Sequence, residues 1–344
     1  MKSSKIIGVD LAKTVFQLAL ADEHHHVTQS KRLNRTQFRE FFVKHPPVHV
    51  IMETCGTAHY WARTLVAMGH NVTLLPAQYI RPYVRRNKTD ANDALAIVEA
   101  ARNQSIHTVP IKSEYQQALQ SLHRLREQWK HTRTARINAL RGVLREFGVL
   151  VPMGPKAAIT TTRASLESLP VWLHVSVQDV LDELTDIQTR ITSLEKQLKQ
   201  MVKADPVIQQ FMKINGIGLL SATAMRASVQ SPAQFKNGRQ LSAWLGITPR
   251  EYSSGDKRYL GRITKKGDKY LRTLLIHGAR SVMARNKIRL RENEKLTGLQ
   301  QWAIQLEQRV GHNKATVALA NKMVRILWAT WMHQREFDGD YAVR

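Results

Sequence analysis

The chain has 344 residues, more than one compact core usually holds, so at least two domains are expected, and 43 % hydrophobic residues are enough to give each a core. A formal charge of +25 points to a polyanionic partner, nucleic acid before any small acidic ligand. The single cysteine, Cys55, excludes an intrachain disulfide and any cysteine-cluster zinc site, and it suits a reducing cytoplasm.

In chain order, "KIIGVDLA" and "VFQLALAD" read as short strands, and "HHVTQSKRL" adds a third. Asp10 and Lys13 break the first apolar run, so it is not a signal peptide. "TQFREFFVKH" has helical spacing, and "VHVIMET" is a β-prone run of the kind buried on both faces. "AHYWARTLVAMG" is an amphipathic helix stopped at Gly69, "NVTLLP" a further strand, and "DALAIVEAA" a further helix. The order of three strands, helix, strand, helix, strand, helix fits a ribonuclease-H-like fold, with antiparallel strands first and helical crossovers after. Cys55, in "METCG", has no partner motif around it and reads as a small packed thiol.

A basic helical region follows, "HRLREQWKHTRTARINALRGVLREF". Leu119, Leu122, Leu125, Trp129, Leu140 and Leu144 supply its apolar face; Arg124, Arg126, Lys130, Arg133, Arg136, Arg141 and Arg145 supply its charge. Such a face is either solvated or a rail for phosphates. "GVLVPMGPKAAITTT" reads as a loop or linker. Leu173, Val177, Val180, Leu184, Ile187, Ile191, Leu194, Leu198 and Met201 then repeat at alternating spacings of four and three. That heptad stripe predicts a long helix that pairs with another helix, and a self-pairing coiled coil is preferred over packing within the chain. In "DPVIQQFMKINGIGLLSATAMRASV", Gly216 and Gly218 form the turn expected of a helix-hairpin-helix, whose exposed N–H groups suit a phosphate. The remainder, to about residue 334, reads as mostly helical around a Gly- and Lys-rich loop. Its stretch "ATVALANKMVRILWATWM" carries Lys322 and Arg325 and so reads as a packed helix rather than a membrane span.

Four acids stand out by position. Asp10 lies at the end of the first strand, Glu53 at the end of "VHVIMET", and Asp90 and Asp93 lie three apart on one helix face. In a ribonuclease-H-like sheet the first strand neighbours the central one and a later helix crosses their ends, which would bring the four carboxylates together. Two Mg²⁺ ions would relieve their mutual repulsion and assist phosphoryl transfer. Each acid also has an ordinary role open to it: strand terminator for Asp10, arginine partner for Glu53, N-cap for Asp90, first-turn acid for Asp93. Arg81, Arg85, Arg86 and Lys88, just before the pair, would supply countercharge to a phosphate backbone.

"GVDLAK", "METCG", "RNKTDANDA", "INGIG" and "LGITPREYSSGDKRYLGRITKKGDKYLR" occur in the order seen in the DEDD-type insertion-sequence transposases, some of them called bridge-RNA-guided recombinases. The chain resembles that family over nearly its whole length. The resemblance implies four segments: a RuvC-like catalytic domain at 1–112, a basic helical region and linker at 113–165, a coiled-coil dimerisation helix at 166–204, and a serine-bearing transposase domain at 205–344. It further implies that Asp10, Glu53, Asp90 and Asp93 bind Mg²⁺ while Ser254 attacks DNA. Ser253 is adjacent, so the assignment of Ser254 rests on its place before Gly255. The resemblance also implies active sites shared between protomers, a homodimer or tetramer, and a structured guide RNA that selects donor and target DNA. Lys257, Arg258, Arg262, Lys265, Lys266, Lys269 and Arg272 would hold the scissile phosphate and its neighbours. Two rival readings stay open: a structure-selective nuclease that uses the acids to activate water and leaves Ser254 idle, and a non-catalytic nucleic-acid scaffold.

Overall fold

The computed structural model describes residues 5–84 and 89–340, and the chain divides into two compact units, 1–114 and 115–344. The predicted Arg85, Arg86 and Lys88 lie outside the described residues.

The first unit is built from β1 (Ile6–Leu11), β2 (Val15–Ala21), β3 (Val27–Asn34), α1 (Arg35–Lys44), β4 (His49–Glu53), α2 (Ala58–Ala67), β5 (Asn71–Leu75), the single turn α3 (Ala77–Ile80) and α4 (Asp90–Ala101). Its five strands lie in the order β3-β2-β1-β4-β5. The β1–β2 and β2–β3 pairs are antiparallel; β1–β4 and β4–β5 are parallel. Strict alternation divides the sheet between two cores. Ile7, Val9, Val50 and Met52 face α1 and α2, where Phe16, Phe38 and Trp61 pack edge to face. Ile6, Ala19 and Ile51 face α4 through Ala94, Ile97 and Val98. Strands buried on both sides need apolar residues at every position, which is why β1 and β4 read as continuous runs with one acid each.

Gly8 lets α4 lie against β1. A Cβ at that position would stand 2.5 Å from Val98 Cγ2 and 2.9 Å from the Ala94 carbonyl oxygen. Thr89 caps the helix by accepting from the Asn92 N–H at 3.3 Å, so the capping role left open as an alternative for Asp90 belongs to its neighbour.

The second unit takes nearly all of α5 (Glu114–Glu146), then α6 (Pro155–Ala164), α7 (Val171–Lys203), α8 (Pro206–Met212), α9 (Leu219–Ser228), α10 (Gly238–Trp244), β6 (Pro249–Glu251), β7 (Leu260–Ile263), α11 (Lys269–Arg291), α12 (Gly298–Val310) and α13 (His312–His333). Part of the expected linker is therefore helix: Pro155 sits in the first turn of α6, where its missing N–H costs nothing, after Gly154 at φ +99°. The heptad reading is corrected in its partner. The α7 stripe is buried within its own chain, Val177, Leu181 and Leu184 packing with Ile137, Leu140 and Leu144 of α5. Arg126–Glu195, Arg133–Gln188 and Arg136–Glu183 pair rising α5 numbers with falling α7 numbers, so the two helices form an antiparallel hairpin. An apolar stripe records that a helix is covered, and α5, a long neighbour with its own stripe, was available to cover it.

Between α8 and α9 the chain turns at Gly216, φ +88°, pressed against α11 and α13. A Cβ there would lie 2.6 Å from Met323 Cε, and one on Gly278 would lie 2.0 Å from the Gly216 carbonyl oxygen. Two glycines are thus required on facing elements. Deeper in the same unit His123 of α5 bridges Tyr270 Oη and Thr223 Oγ1, each at 2.9 Å. Thr223 spends its own proton on the Leu219 carbonyl at 2.6 Å, so His123 Nε2 donates to Thr223 and Nδ1 accepts from the tyrosine. This arrangement needs a neutral imidazole. Burial pushes His123 down to about 4 and holds Tyr270 protonated by raising it to about 12. Among the described residues no helix is long and apolar enough to cross a membrane.

Gly8→Ala is expected to destabilise the first unit by about 2 kcal/mol in denaturant titrations, and adding Val98→Ala to recover part of that loss. His123 predicts acid sensitivity. The unfolded chain takes up a proton near pH 6.5 while the folded chain refuses it until about pH 4, so stability falls as pH drops through that window, by on the order of 2–3 kcal/mol. His59 in the first unit is held down to about 4 in the same sense. The share due to His123 is therefore read as the flattening of the stability–pH slope in His123→Asn.

Candidate active site

The parallel register of β1 with β4 runs Ile6–His49, Ile7–Val50, Gly8–Ile51, Val9–Met52. One step further sets Asp10 level with Glu53, and alternation turns both side chains to the face that α4 covers, the face of Gly8 and Ile51. Both acids are half-buried. Helix α4 runs against β1: Gly8 lies beneath Ala94 and Val98, and His25, in the turn beyond the Ile6–Ala21 end of the β1–β2 pair, meets the Val98 carbonyl at 3.3 Å. The helix therefore begins toward the end of β1 that carries Asp10. Asp93, half-buried, and Asp90, exposed, occupy its first turn. The fold thus sets Asp10 beside Glu53 and turns the helix carrying the other two acids toward the same edge of the sheet. Among the described residues, though, no three His, Cys, Asp or Glu side chains are grouped closely enough to hold a metal ion. The donors are all carboxylate oxygens, the chemistry that suits Mg²⁺, and the level pair Asp10–Glu53 is the part of the set the backbone already provides.

Ser254 lies in the second unit, at the tip of an exposed β-hairpin. Strands β6 and β7 pair Glu251 with Leu260; the pairing continues as Tyr252 N–H to the Tyr259 carbonyl at 2.9 Å, and closes with Ser254 and Lys257 exchanging N–H···O bonds of 3.3 Å. Gly255 and Asp256 make the two-residue loop, and Gly255 supplies its positive φ of +56°. With this register the hairpin has two distinct faces. Glu251, Ser253, Arg258 and Leu260 share one; Tyr252, Ser254, Lys257 and Tyr259 share the other. On the first, Glu251 accepts from Ser253 Oγ at 2.8 Å and from Arg258 at 3.1 Å, and those two partners hold its carboxyl below the usual range. Ser253 is therefore engaged, whereas Ser254 Oγ makes no side-chain hydrogen bond among the described residues. The root of the hairpin is locked by close backbone approach: a Cβ on Gly267 would stand 2.1 Å from the Trp244 carbonyl oxygen, and one on Gly246 2.7 Å from the Gly267 nitrogen.

The predicted phosphate-binding cations sort by whether the fold has already used them. Arg81, Arg124, Lys257, Arg262, Lys265 and Lys266 are exposed, while Arg258 is exposed but bound to Glu251. Arg133 is half-buried against Gln188. Arg126 is buried between Glu127 and Glu195, Lys130 bonds Glu127, Arg136 bonds Glu183, and Arg141 bonds the Pro152 carbonyl. Part of the basic face of α5 is thus a seam to its own neighbours, which corrects the phosphate-rail reading for the buried Arg126, while Arg136 and Lys130 stay 47 and 38 % exposed beside their partners. Arg272 is corrected likewise: buried, it donates to the Leu245 and Gly267 carbonyls. Of the two hairpin glycines, Gly216 is pressed into the core and Gly218, at the start of α9, faces open space. Sequence reading missed the two tyrosines. The period-2 pattern of "EYSSGDKRYL" around Gly-Asp was the signal that could have found them.

A carboxylate pair at the ends of the central strands of a mixed sheet, with an exposed serine hairpin on a strongly basic helical unit, is the equipment of a protein that acts on nucleic acid. Residues 7–149 match the DEDD transposase family of IS110, and residues 208–293 match the family described as Transposase IS116/IS110/IS902. The chain is 46 % identical over 331 residues to a probable family 20 transposase of Pseudomonas aeruginosa, covering 94 % of this chain and 95 % of the relative. It is 40 % identical over 341 residues to the transposase for insertion sequence element IS1111A of Coxiella burnetii, covering 98 % and 92 %. The chain belongs to the IS110/IS116 family of insertion-sequence transposases, enzymes that cut and recombine DNA.

Gly255→Ala is expected to weaken the hairpin locally by about 1 kcal/mol. Amide exchange at Ser254 and Lys257 should quicken while the global unfolding midpoint stays in place.

Proposed function

We propose that this transposase breaks and rejoins DNA through a covalent serine intermediate. The first unit acts as a ribonuclease-H/RuvC-like domain in which Asp10, Glu53, Asp90 and Asp93 hold Mg²⁺. The observation that carries the reading is the division of the hairpin: Ser253 is bound to Glu251 on one face, and Ser254 stands exposed beside Lys257 on the other. Ser254 Oγ attacks the scissile phosphorus. A P–Oγ bond forms as the serine hydroxyl gives up its proton to solvent or a nearby base, the P–O bond to the leaving sugar breaks, and that sugar oxygen takes up a proton, so that no net proton is gained or lost. Attack on the phosphoserine by a hydroxyl of the other DNA reverses these steps and completes the exchange. Bound Mg²⁺ supplies charge stabilisation for the phosphoryl group. Lys257, Arg262, Lys265 and Lys266, all exposed, bind and orient the backbone around that phosphate.

The same reading assigns selection of donor and target to a structured guide RNA, supported by the charge of +25 and the exposed cations. The turn from α8 to α9 acts as a helix-hairpin-helix, with the open Gly218 end toward phosphate. A homodimer, doubled to a tetramer when two DNAs are joined, is supported by apolar side chains left bare at the far end of the α5–α7 hairpin. Leu150, Met153, Trp172 and Val175 are 80, 89, 90 and 73 % exposed.

The test is formation of an SDS-stable protein–DNA adduct, together with strand transfer, by protein purified with its co-purifying RNA and supplied with Mg²⁺. Ser254→Ala is expected to remove both by at least about 10³-fold while Ser253→Ala keeps the adduct. Asp10→Asn and Glu53→Gln are expected to remove cutting altogether. Undiminished cutting by Ser254→Ala, with no adduct in the wild type, would instead identify a water-activating nuclease.

A further inference from the structure

Tyr252 and Tyr259 stay unexplained by the chemistry of Ser254. They face each other across the hairpin, ring centroids 6.3 Å apart and planes 48° from parallel, and they are 60 and 66 % exposed. The turn does not depend on them for its shape, since the reciprocal Ser254–Lys257 bonds and Gly255 already close it. A cross-strand aromatic pair does stabilise a hairpin, but that role favours rings buried against each other or against a core. These rings are tilted apart with most of their surface in water. Gly261 seats one of them: a Cβ there would lie 3.1 Å from Tyr252 Cε2, so the ring rests on bare backbone.

The position of the pair gives it a use. Tyr252 is two residues before Ser254 on the same strand, one pleat repeat of roughly 7 Å, and both share the face of Lys257. Lys257 forms no ion pair among the described residues, whereas Arg258, on the opposite face, is held by Glu251. One face of the hairpin therefore presents a hydroxyl, an unspent cation and two exposed aromatic rings in a row. That combination matches a nucleotide, whose phosphate takes the cation and whose base takes the ring.

We infer that Tyr252 and Tyr259 form a stacking site for an unpaired nucleobase next to the phosphate that Ser254 engages, so that the strand is held by its base while its backbone is cut. The inference rests on the serine reading above for its place in the reaction, but the site itself is defined by binding. A base unstacked at the cleavage point leaves its phosphate free of the duplex, and stacking is tolerant of sequence because every base has a π-face.

The experiment is photocrosslinking of the full-length protein to a dT 20-mer carrying 5-iodouracil, to the matching RNA 20-mer, and to a duplex, with the adducts mapped to peptides. The wild type is expected to crosslink at Tyr252 or Tyr259 with the single strands and at least about tenfold less with the duplex. The DNA 20-mer is expected to crosslink at these tyrosines, since it is the strand Ser254 engages; crosslinking by the RNA alone would overturn the site's place beside the cut. Tyr252→Phe and Tyr259→Phe should keep noncovalent retention of the 20-mer and the rate of adduct formation at Ser254. Tyr252→Thr and Tyr259→Thr, strand-forming residues without a ring, should lower that rate about tenfold. Amide exchange at Lys257 verifies that the hairpin persists in each variant. Crosslinks at the tyrosines with no serine adduct in the wild type would sink the serine reading and keep the stacking site. A serine adduct formed at full rate by the Thr variants, with crosslinks mapping elsewhere, would overturn the stacking site and leave the serine reading standing.

Discussion

The parallel pairing of β1 with β4 is the constraint on which the placement of the acids in the first unit depends. Parallel strands share a level residue by residue, so the register that buries Val9 beside Met52 also sets Asp10 beside Glu53. A slip of one residue would turn one acid into the core that α1 and α2 cover, where an unpaired carboxylate is prohibitively costly. Register is therefore enforced by hydrophobic burial, and the acids inherit their position from it. Gly8 extends the same control to α4, since only a residue without a Cβ lets that helix lie directly on β1 with its acidic first turn toward the carboxylate pair.

In the second unit the equivalent constraint is a turn. Two residues, Gly255 and Asp256, fix which side chains share a face from Glu251 to Leu260, and this separates two neighbouring serines into different environments. The separation has a chemical consequence. A hydroxyl that donates to a carboxylate, as Ser253 does to Glu251, is committed to holding the hairpin together. A hydroxyl at the tip is available to a phosphate. The close approach of Gly246 and Gly267 at the root packs the base of the hairpin backbone to backbone.

Charge is distributed by the same division of labour. The basic α5 and the more acidic α7 are joined by Arg126, Arg133 and Arg136 reaching Glu195, Gln188 and Glu183. Arg126 and Arg136 are neutralised there by carboxylates, while Arg133 meets a neutral amide and keeps its charge. Others, such as Arg124 and the lysines flanking the hairpin, stay exposed to solvent.

Much of this was legible in the residues themselves. The order of strands and helices in the first unit follows from hydrophobic period and turn signals, because each element is short and its neighbours are close in sequence. The four acids, the serine and the glycines were visible as types in positions. The heptad stripe of α7 announced a helix that must be covered but could not name its cover, since burial is a property of a surface and α5 and a second copy would satisfy it equally. Which arginines are free was also closed to sequence, because Arg126 and Arg124 differ by half a turn of helix and by what lies opposite. Local patterning thus determined the elements and the chemical inventory; the tertiary structure alone decided partners, because register, facing and ion pairing depend on contacts between residues tens of positions apart.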